Sequence, residues 1–275
     1  MRLPKQLVRL ASTLFPQKIA DFAYDQLMNP QVRKLRDNEL ETLDLADKQW
    51  IKFRDFKIQT YKWGHPDHEK ILLIHGWEGQ AGNFSDLVYY LLEANYYVIA
   101  FDAPAHGFSS RGNGENILFE FVDLVAELIK KYQCKKLVSH SFGGVATTNA
   151  LFSCLEVKID KYVLLTTPNK FSERLDNVAK TVGLPNKIKQ LLIDKIESTT
   201  DYEVSTMGVS NVVDKINVRE AIIFHDKNDS VIPIEQAKIV CANWKNCTLK
   251  AIEGTGHFRI LRTESVLNEV VAFLN

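Results

Sequence analysis

Leu137-Val138-Ser139-His140-Ser141-Phe142-Gly143-Gly144 is the stretch on which the reading of this chain turns. Residues 135–140 form a short β-rich run and a helical pattern occupies 143–155, so a strand passes into a helix within a single turn. A turn that tight needs small residues on both sides of its central serine. It lifts the Ser141 hydroxyl above the sheet, near the start of the helix. The pattern here is S-x-S-x-G: Ser139 takes the first small position, Gly143 the second, and Gly144 eases the helix against its neighbours.

Outward from that turn the same texture repeats. β-rich runs occur at 71–75, 97–102, 161–166, 220–225 and 247–252, and helical patterns at 85–94, 117–132, 234–243 and 262–274. Alternation of this kind predicts parallel crossovers and a sheet covered on both faces. Runs at 51–55 and 57–63 have no helix between them and predict an antiparallel edge. Between about 168 and 215 the alternation breaks into helices around Gly183-Leu184-Pro185, too long for an ordinary connection, and a small helical cap over the sheet is expected there. Residues 1–45 are expected as an N-terminal helical extension ahead of a 46–275 domain. Its apolar stripes, Leu3-Leu7-Leu10-Leu14 and Ile19-Phe22-Ala23-Leu27, are expected to be covered by the core.

In a parallel sheet, ligands bind outside the carboxyl ends of the strands. Five of the seven histidines (His75, His106, His140, His225 and His257) fall at those ends. A serine hydroxyl is a poor nucleophile until a base takes its proton, and His257, in a glycine-flanked loop after the last strand, is placed to do so. The acid that orients the base should follow the 220–225 run. Asp229, deeper in that loop, has the reach for this, which leaves Asp226 as a turn-former. Two backbone N–H groups, of Phe142 after the nucleophile and Trp77 after the 71–75 strand, are the candidates for an oxyanion hole, with Gly76 permitting close approach. Trp77, Phe142 and His106 are candidate substrate contacts. His75 is expected to brace the oxyanion loop, His140 to pack, and Asp102 to belong to a structural turn.

Composition narrows the class. The 275 residues carry 34 Lys+Arg and 34 Asp+Glu, so no global field would draw the chain to nucleic acid, and 45% apolar content is that of an ordinary globular domain. Positive charge gathers in residues 1–36, negative charge in 37–48, read here as solvated segments. Cys134, Cys154, Cys241 and Cys247 show no paired spacing, which argues for a reducing compartment and against zinc. No apolar run reaches the ~18 residues of a membrane span, and Gln6 and Arg9 interrupt any secretory core. The expected location is the cytoplasm, with only peripheral membrane contact by the N-terminal helix left open.

Five ordered motifs now stand together: His75-Gly76-Trp77, the D-x-x-x-H-G-x-S turn from Asp102 to Ser109, S-x-S-x-G-G, the D-x-V-x-P run from Asp229 to Pro233, and Gly254-x-Gly256-His257. Over residues 55–275 they resemble the α/β-hydrolase superfamily, in its serine hydrolase, esterase-like branch. The resemblance implies an eight-stranded, mostly parallel, helix-flanked sheet with a cap after the sixth strand. It also implies hydrolysis of a small-molecule ester or related acyl bond by Ser141, His257 and Asp229 with no cofactor or metal. The same three residues would equally serve a thioesterase, a peptidase or a C–C hydrolase, or persist in a hydrolase-fold protein that only binds a small ligand.

Overall fold

The computed structural model describes residues 5–113, 116–200 and 202–275. Two helices, α1 (Lys5–Leu14) and α2 (Pro16–Leu27), lead through an extended strap to α3 (Asp37–Asp44). The strands β1 (Asp47–Phe53) and β2 (Phe56–Trp63) follow as an antiparallel hairpin. From β3 (Glu69–Ile74) the chain alternates: α4 (Ser85–Glu93), β4 (Tyr96–Phe101), α5 (Ile117–Tyr132), β5 (Lys136–His140), α6 (Phe142–Phe152) and β6 (Ile159–Leu165). Three helices, α7 (Phe171–Val182), α8 (Asn186–Thr199) and α9 (Val209–Val212), intervene before β7 (Val218–Asp226). The chain ends with α10 (Ile234–Ala242), β8 (Cys247–Ile252), α11 (Gly256–Arg259) and α12 (Glu264–Leu274).

The eight strands form one sheet in the order β1-β2-β4-β3-β5-β6-β7-β8, antiparallel at the β1 and β2 edge and parallel thereafter. In the central strands successive side chains alternate between two buried faces. Leu72 and Ile74 of β3 and Ile99 and Phe101 of β4 join the apolar layer under α5 and α6. Ile71, Leu73, Val98 and Ala100 point the other way, to the layer under α4 and α12. With β3, β4, β5, β6, β7 and β8 parallel, all their carboxyl ends open at one rim, and the histidine-bearing loops follow them.

The N-terminal helices depart from the expected arrangement. Leu3 lies outside the described residues, and Leu7, Leu10 and Leu14 are 52%, 58% and 62% exposed, so the core does not cover this stripe. The buried side of α1 carries Val8 and Ser12 instead, and α1 packs on α2. On α2 the buried residues are Ala20 and Tyr24, followed by Met28, one position on from the Ile19-Phe22-Ala23-Leu27 stripe, while Phe22 is 62% exposed. The reason is the neighbour. α2 lies along α8, where Lys195 Nζ reaches Asp21 at 2.7 Å and the Tyr24 hydroxyl meets Asn116 and Thr199. One residue of helix is a rotation of about 100°, so a different partner selects a different face.

That choice of face is testable by urea denaturation. Tyr24→Ala, which empties a buried aromatic site, should lower stability by about 3 kcal/mol, whereas Leu10→Ala on the exposed face should change it by less than ~0.5 kcal/mol. Equal losses would mean that the leucine stripe is covered after all.

Candidate active site

Burial of β5 on every residue delivers the chain to the turn at Ser141, whose φ of 53° and ψ of −125° lie outside the ordinary regions. The Ser141 N–H donates to Leu165 O at 2.9 Å, tying the turn to β6. Ser139, where a glycine would be the simplest choice, is fully buried and pairs its hydroxyl with Tyr162 Oη at 2.8 Å, so serine is accommodated by a partner of its own. Gly143 has no such latitude. A Cβ there would lie 2.5 Å from the carbonyl oxygens of both Ile74 and His75, and one on Gly144 would lie 2.3 Å from Thr167 Oγ1. Helix α6 therefore presses its first turn directly onto the ends of β3 and the loop after β6.

Above the turn, His257 Nε2 stands 3.1 Å from Ser141 Oγ, and His257 Nδ1 stands 2.9 Å from Asp229 Oδ2. Residues separated by 116 and 28 positions in sequence are thus in line. Asp229 is the acid in contact with the base, and Asp226 is not. Burial pushes the Asp229 carboxyl up, but the His257 ring and the N–H groups of Ile232 (3.0 Å) and Val231 (2.7 Å) outweigh it and hold the group below the ordinary carboxylate range. Its charge persists although its side chain is closed to water.

Asp226 does more than form a turn. Its Oδ1 accepts from the Asn228 N–H at 2.7 Å, and its Oδ2 accepts from Thr255 N at 2.5 Å, Thr255 Oγ1 at 3.0 Å and Gly256 N at 2.8 Å. One carboxylate thereby clamps the loop that presents His257. His140 completes the hold: its Nε2–H donates to His257 O at 2.9 Å, and burial pushes the ring down to about 3, so it stays neutral with its proton on Nε2.

On the opposite wall, a Cβ on Gly76 would come within 2.9 Å of Ser141 Cβ, so the loop after β3 lies against Ser141. Two more neutral imidazoles shape this loop. His75 Nδ1–H donates to Gly76 O at 2.7 Å while its Nε2 accepts from Ala103 N at 3.0 Å. His106 Nδ1–H donates to Pro104 O at 2.8 Å, and its Nε2 accepts from Glu78 N at 3.1 Å. Burial is the leading cause that lowers both rings, His106 to about 4, and keeps them uncharged. His106 is accordingly not a substrate contact: it is fully buried, both nitrogens are engaged, and its ring packs edge-on to Trp77 at 4.9 Å. Asp102 ties the neighbouring turn by accepting from Ala81 N, Phe108 N and Tyr61 Oη.

Trp77, half-buried in the loop, and Phe142, the first residue of α6, meet edge to face at 6.0 Å. The N–H at a helix's first position has no intrahelical acceptor, which leaves that of Phe142 available beside Ser141. Reading the sequence missed the strap at 28–36. Gln80 Nε2 donates to Arg33 O at 2.6 Å, Gln31 N donates to Glu78 Oε1 at 3.3 Å, and the Arg33 guanidinium lies 4.1 Å over the Phe258 ring. These partners are 47 to 225 positions apart, beyond any local signal. Among the described residues no group of three or more His, Cys, Asp or Glu is arranged to hold a metal ion, and no helix is long and apolar enough to cross a membrane.

A family model described as "alpha/beta hydrolase fold" matches residues 70–182, which include the loop after β3 and the Ser141 turn. A human serine hydrolase-like protein is 33% identical over 118 residues, 40% of this chain and 56% of that protein. The matched stretches span about half or less of the length of such curated relatives. Among solved structures, an esterase from Exiguobacterium antarcticum superposes with a TM-score of 0.65 at 20% identity, over 82% of this chain and 98% of that one. The thioesterase domain from the curacin biosynthetic pathway gives 0.61 at 16% identity, over 82% and 99%. At those identities the likeness speaks to the fold, and it agrees with the strand order and with the family model matched over residues 70–182: the chain has the α/β-hydrolase fold.

Proposed function

We propose that this chain is a serine hydrolase that cleaves a carboxylic ester, or a related acyl bond, of a small molecule through an acyl-enzyme. The observation that carries the reading is the hydrogen-bonded line Asp229–His257–Ser141, with contacts of 2.9 and 3.1 Å. In this reading His257 Nε2 takes the Ser141 proton as Oγ attacks the acyl carbonyl, and Asp229 keeps the Nδ1–H tautomer facing itself. The N–H groups of Trp77 and Phe142 receive the oxyanion. His257 then returns the proton to the departing alcohol or thiol, and a water, activated by the same imidazole, releases the acid and restores Ser141. No step calls for a metal or an organic cofactor. The apposed rings of Trp77 and Phe142 favour an apolar acyl group near the scissile bond. Helices α7, α8 and α9 are assigned as the cap over the 46–275 domain, with residues 1–45 as an extension whose α2 rests on α8 and whose α3 packs on α4.

A fluorophosphonate probe should label the folded protein at Ser141, read by peptide mass spectrometry, and Ser141→Ala should remove the label. Labelling that survives in the variant would move the nucleophile elsewhere, and a folded wild type that takes no label would favour a binding protein. A panel of matched esters, thioesters and amides then identifies the bond.

The two aspartates separate by kinetics and melting. Asp229→Asn should lower kcat by about 10²–10⁴ with little change in Tm, because the imidazole loses its orienting charge. Asp226→Asn should be milder on kcat but lower Tm, because the amide cannot accept the three donors of the His257 loop. The reverse order would exchange their roles.

Gly76→Ala should cost about 10²–10³ in kcat/KM, the scale of a lost oxyanion donor, because its Cβ displaces the loop from Ser141. A fully active variant would place the oxyanion loop elsewhere.

A further inference from the structure

The strap at 28–36 touches both of the loops that the proposed chemistry uses. On one side it is pinned to the loop after β3 by Gln80 and Glu78. On the other it reaches the loop that carries His257 through Arg33. The backbone anchor is firm: Gln80 is 4% exposed, and its own N–H is held by Asn83 Oδ1 at 2.9 Å. Leu35 closes on Gly82, where a Cβ would lie 2.7 Å from Leu35 Cδ2. Arg33 is therefore carried on a fixed piece of backbone.

Its guanidinium is also fixed from below. It stacks 4.1 Å from the centroid of Phe258, and the Phe258 ring stands edge to face with the His257 ring at 4.8 Å. A guanidinium held against an aromatic ring keeps N–H donors available for an anion. Among the described residues no carboxylate lies within ion-pair distance of Arg33. The nearby acids are engaged: Glu39 and Asp86 pair with Arg36, and Glu78 accepts from Gln31. Arg259, the other cation of the His257 loop, donates to Thr255 O and Gly254 O. What remains is an unneutralised guanidinium two ring contacts from His257, the proposed base. Phe258 itself is 45% exposed, so the approach to this guanidinium is open.

We propose that Arg33 is a specificity residue that receives an oxyanion of the substrate, a carboxylate or phosphate remote from the scissile acyl bond. This rests on the hydrolase reading above. It divides the substrate into an apolar segment against Trp77 and Phe142 and an anionic end beneath the strap.

The test compares neutral and anionic partners of equal length. On the acyl side the pair is 4-nitrophenyl hexanoate and mono-4-nitrophenyl adipate. On the leaving-group side it is S-butyrylpantetheine and S-butyryl-4′-phosphopantetheine. Wild type should prefer the anionic member of one pair in kcat/KM, and Arg33→Gln should cut that ratio by about tenfold, the scale of one charge-assisted hydrogen bond. Arg33→Lys should fall between them, and the preference should shrink as salt is raised to about 0.5 M. The pair that responds identifies the anion as acyl carboxylate or leaving-group phosphate. The same pairs are titrated into Ser141→Ala, where binding is read without turnover, so a failure of the hydrolase reading does not obscure the anion contact. A ratio in wild type that Arg33→Gln leaves unchanged in both pairs, in turnover and in binding, would overturn the proposal and reduce the stack on Phe258 to a structural tie.

Discussion

A left-handed φ of 53° at a serine is unfavourable, and positions of this kind persist only where the surroundings over-determine them, at a cost of about 1–3 kcal/mol. At Ser141 the constraint comes from three directions. Strand β5 is buried throughout, β6 holds the Ser141 N–H, and α6 is driven onto the carbonyls of Ile74 and His75 through Gly143. None of these can relax without moving the centre of the sheet. The same approach that strains the serine places it under the loop after β3, because Gly76 and Ser141 share one small volume. The turn at Ser141 and the loop after β3 are one packing problem.

Around that point the protein uses histidine as a neutral bracket. His75, His106 and His140 are buried and held uncharged, and each donates from one ring nitrogen to a backbone carbonyl. His75 and His106 also accept a backbone N–H on the other nitrogen. A neutral imidazole offers one donor and one acceptor about a ring apart, so it can bridge two loops where an amide or hydroxyl would reach only one. Desolvation, which would be a penalty for a charged group, here keeps the ring neutral, and the carbonyl it meets fixes the tautomer. His257 differs because it faces an ionised carboxylate, and its second nitrogen faces Ser141.

The base is supported from behind by a charge that does not touch it. Asp226 gathers three donors from Thr255 and Gly256, and hydrogen bonds to the charged form hold its carboxyl below the ordinary range against the upward pull of burial. Two aspartates three residues apart thus share the support of one imidazole. Asp229 faces the ring, and Asp226 holds the backbone that carries it. From the far side the strap closes the arrangement, linking the oxyanion loop to Phe258.

The sheet was legible in the sequence because a parallel strand buried on both faces leaves a β-rich, largely apolar run, clearest in β3, β4, β5 and β6, with β7 and the exposed edge β8 marked by shorter runs and the antiparallel edge by the missing helix. The meeting of Ser141, His257 and Asp229 was legible because each follows such a run, where a parallel sheet gathers its loops, and because a tight turn demands small residues whatever surrounds it. Local spacing could not say which face of an N-terminal helix is buried. Leu7, Leu10 and Leu14 satisfy the helical period, yet Val8 and Ser12 are the covered residues, since helix burial depends on the neighbour and α2 meets α8 rather than the sheet. Nor could spacing place His106, which period and position set at the rim and packing drew beneath Trp77. Arg33 over Phe258 was decided by tertiary structure alone: a cation and a ring 225 positions apart carry no mutual signal until the strap brings their backbones together.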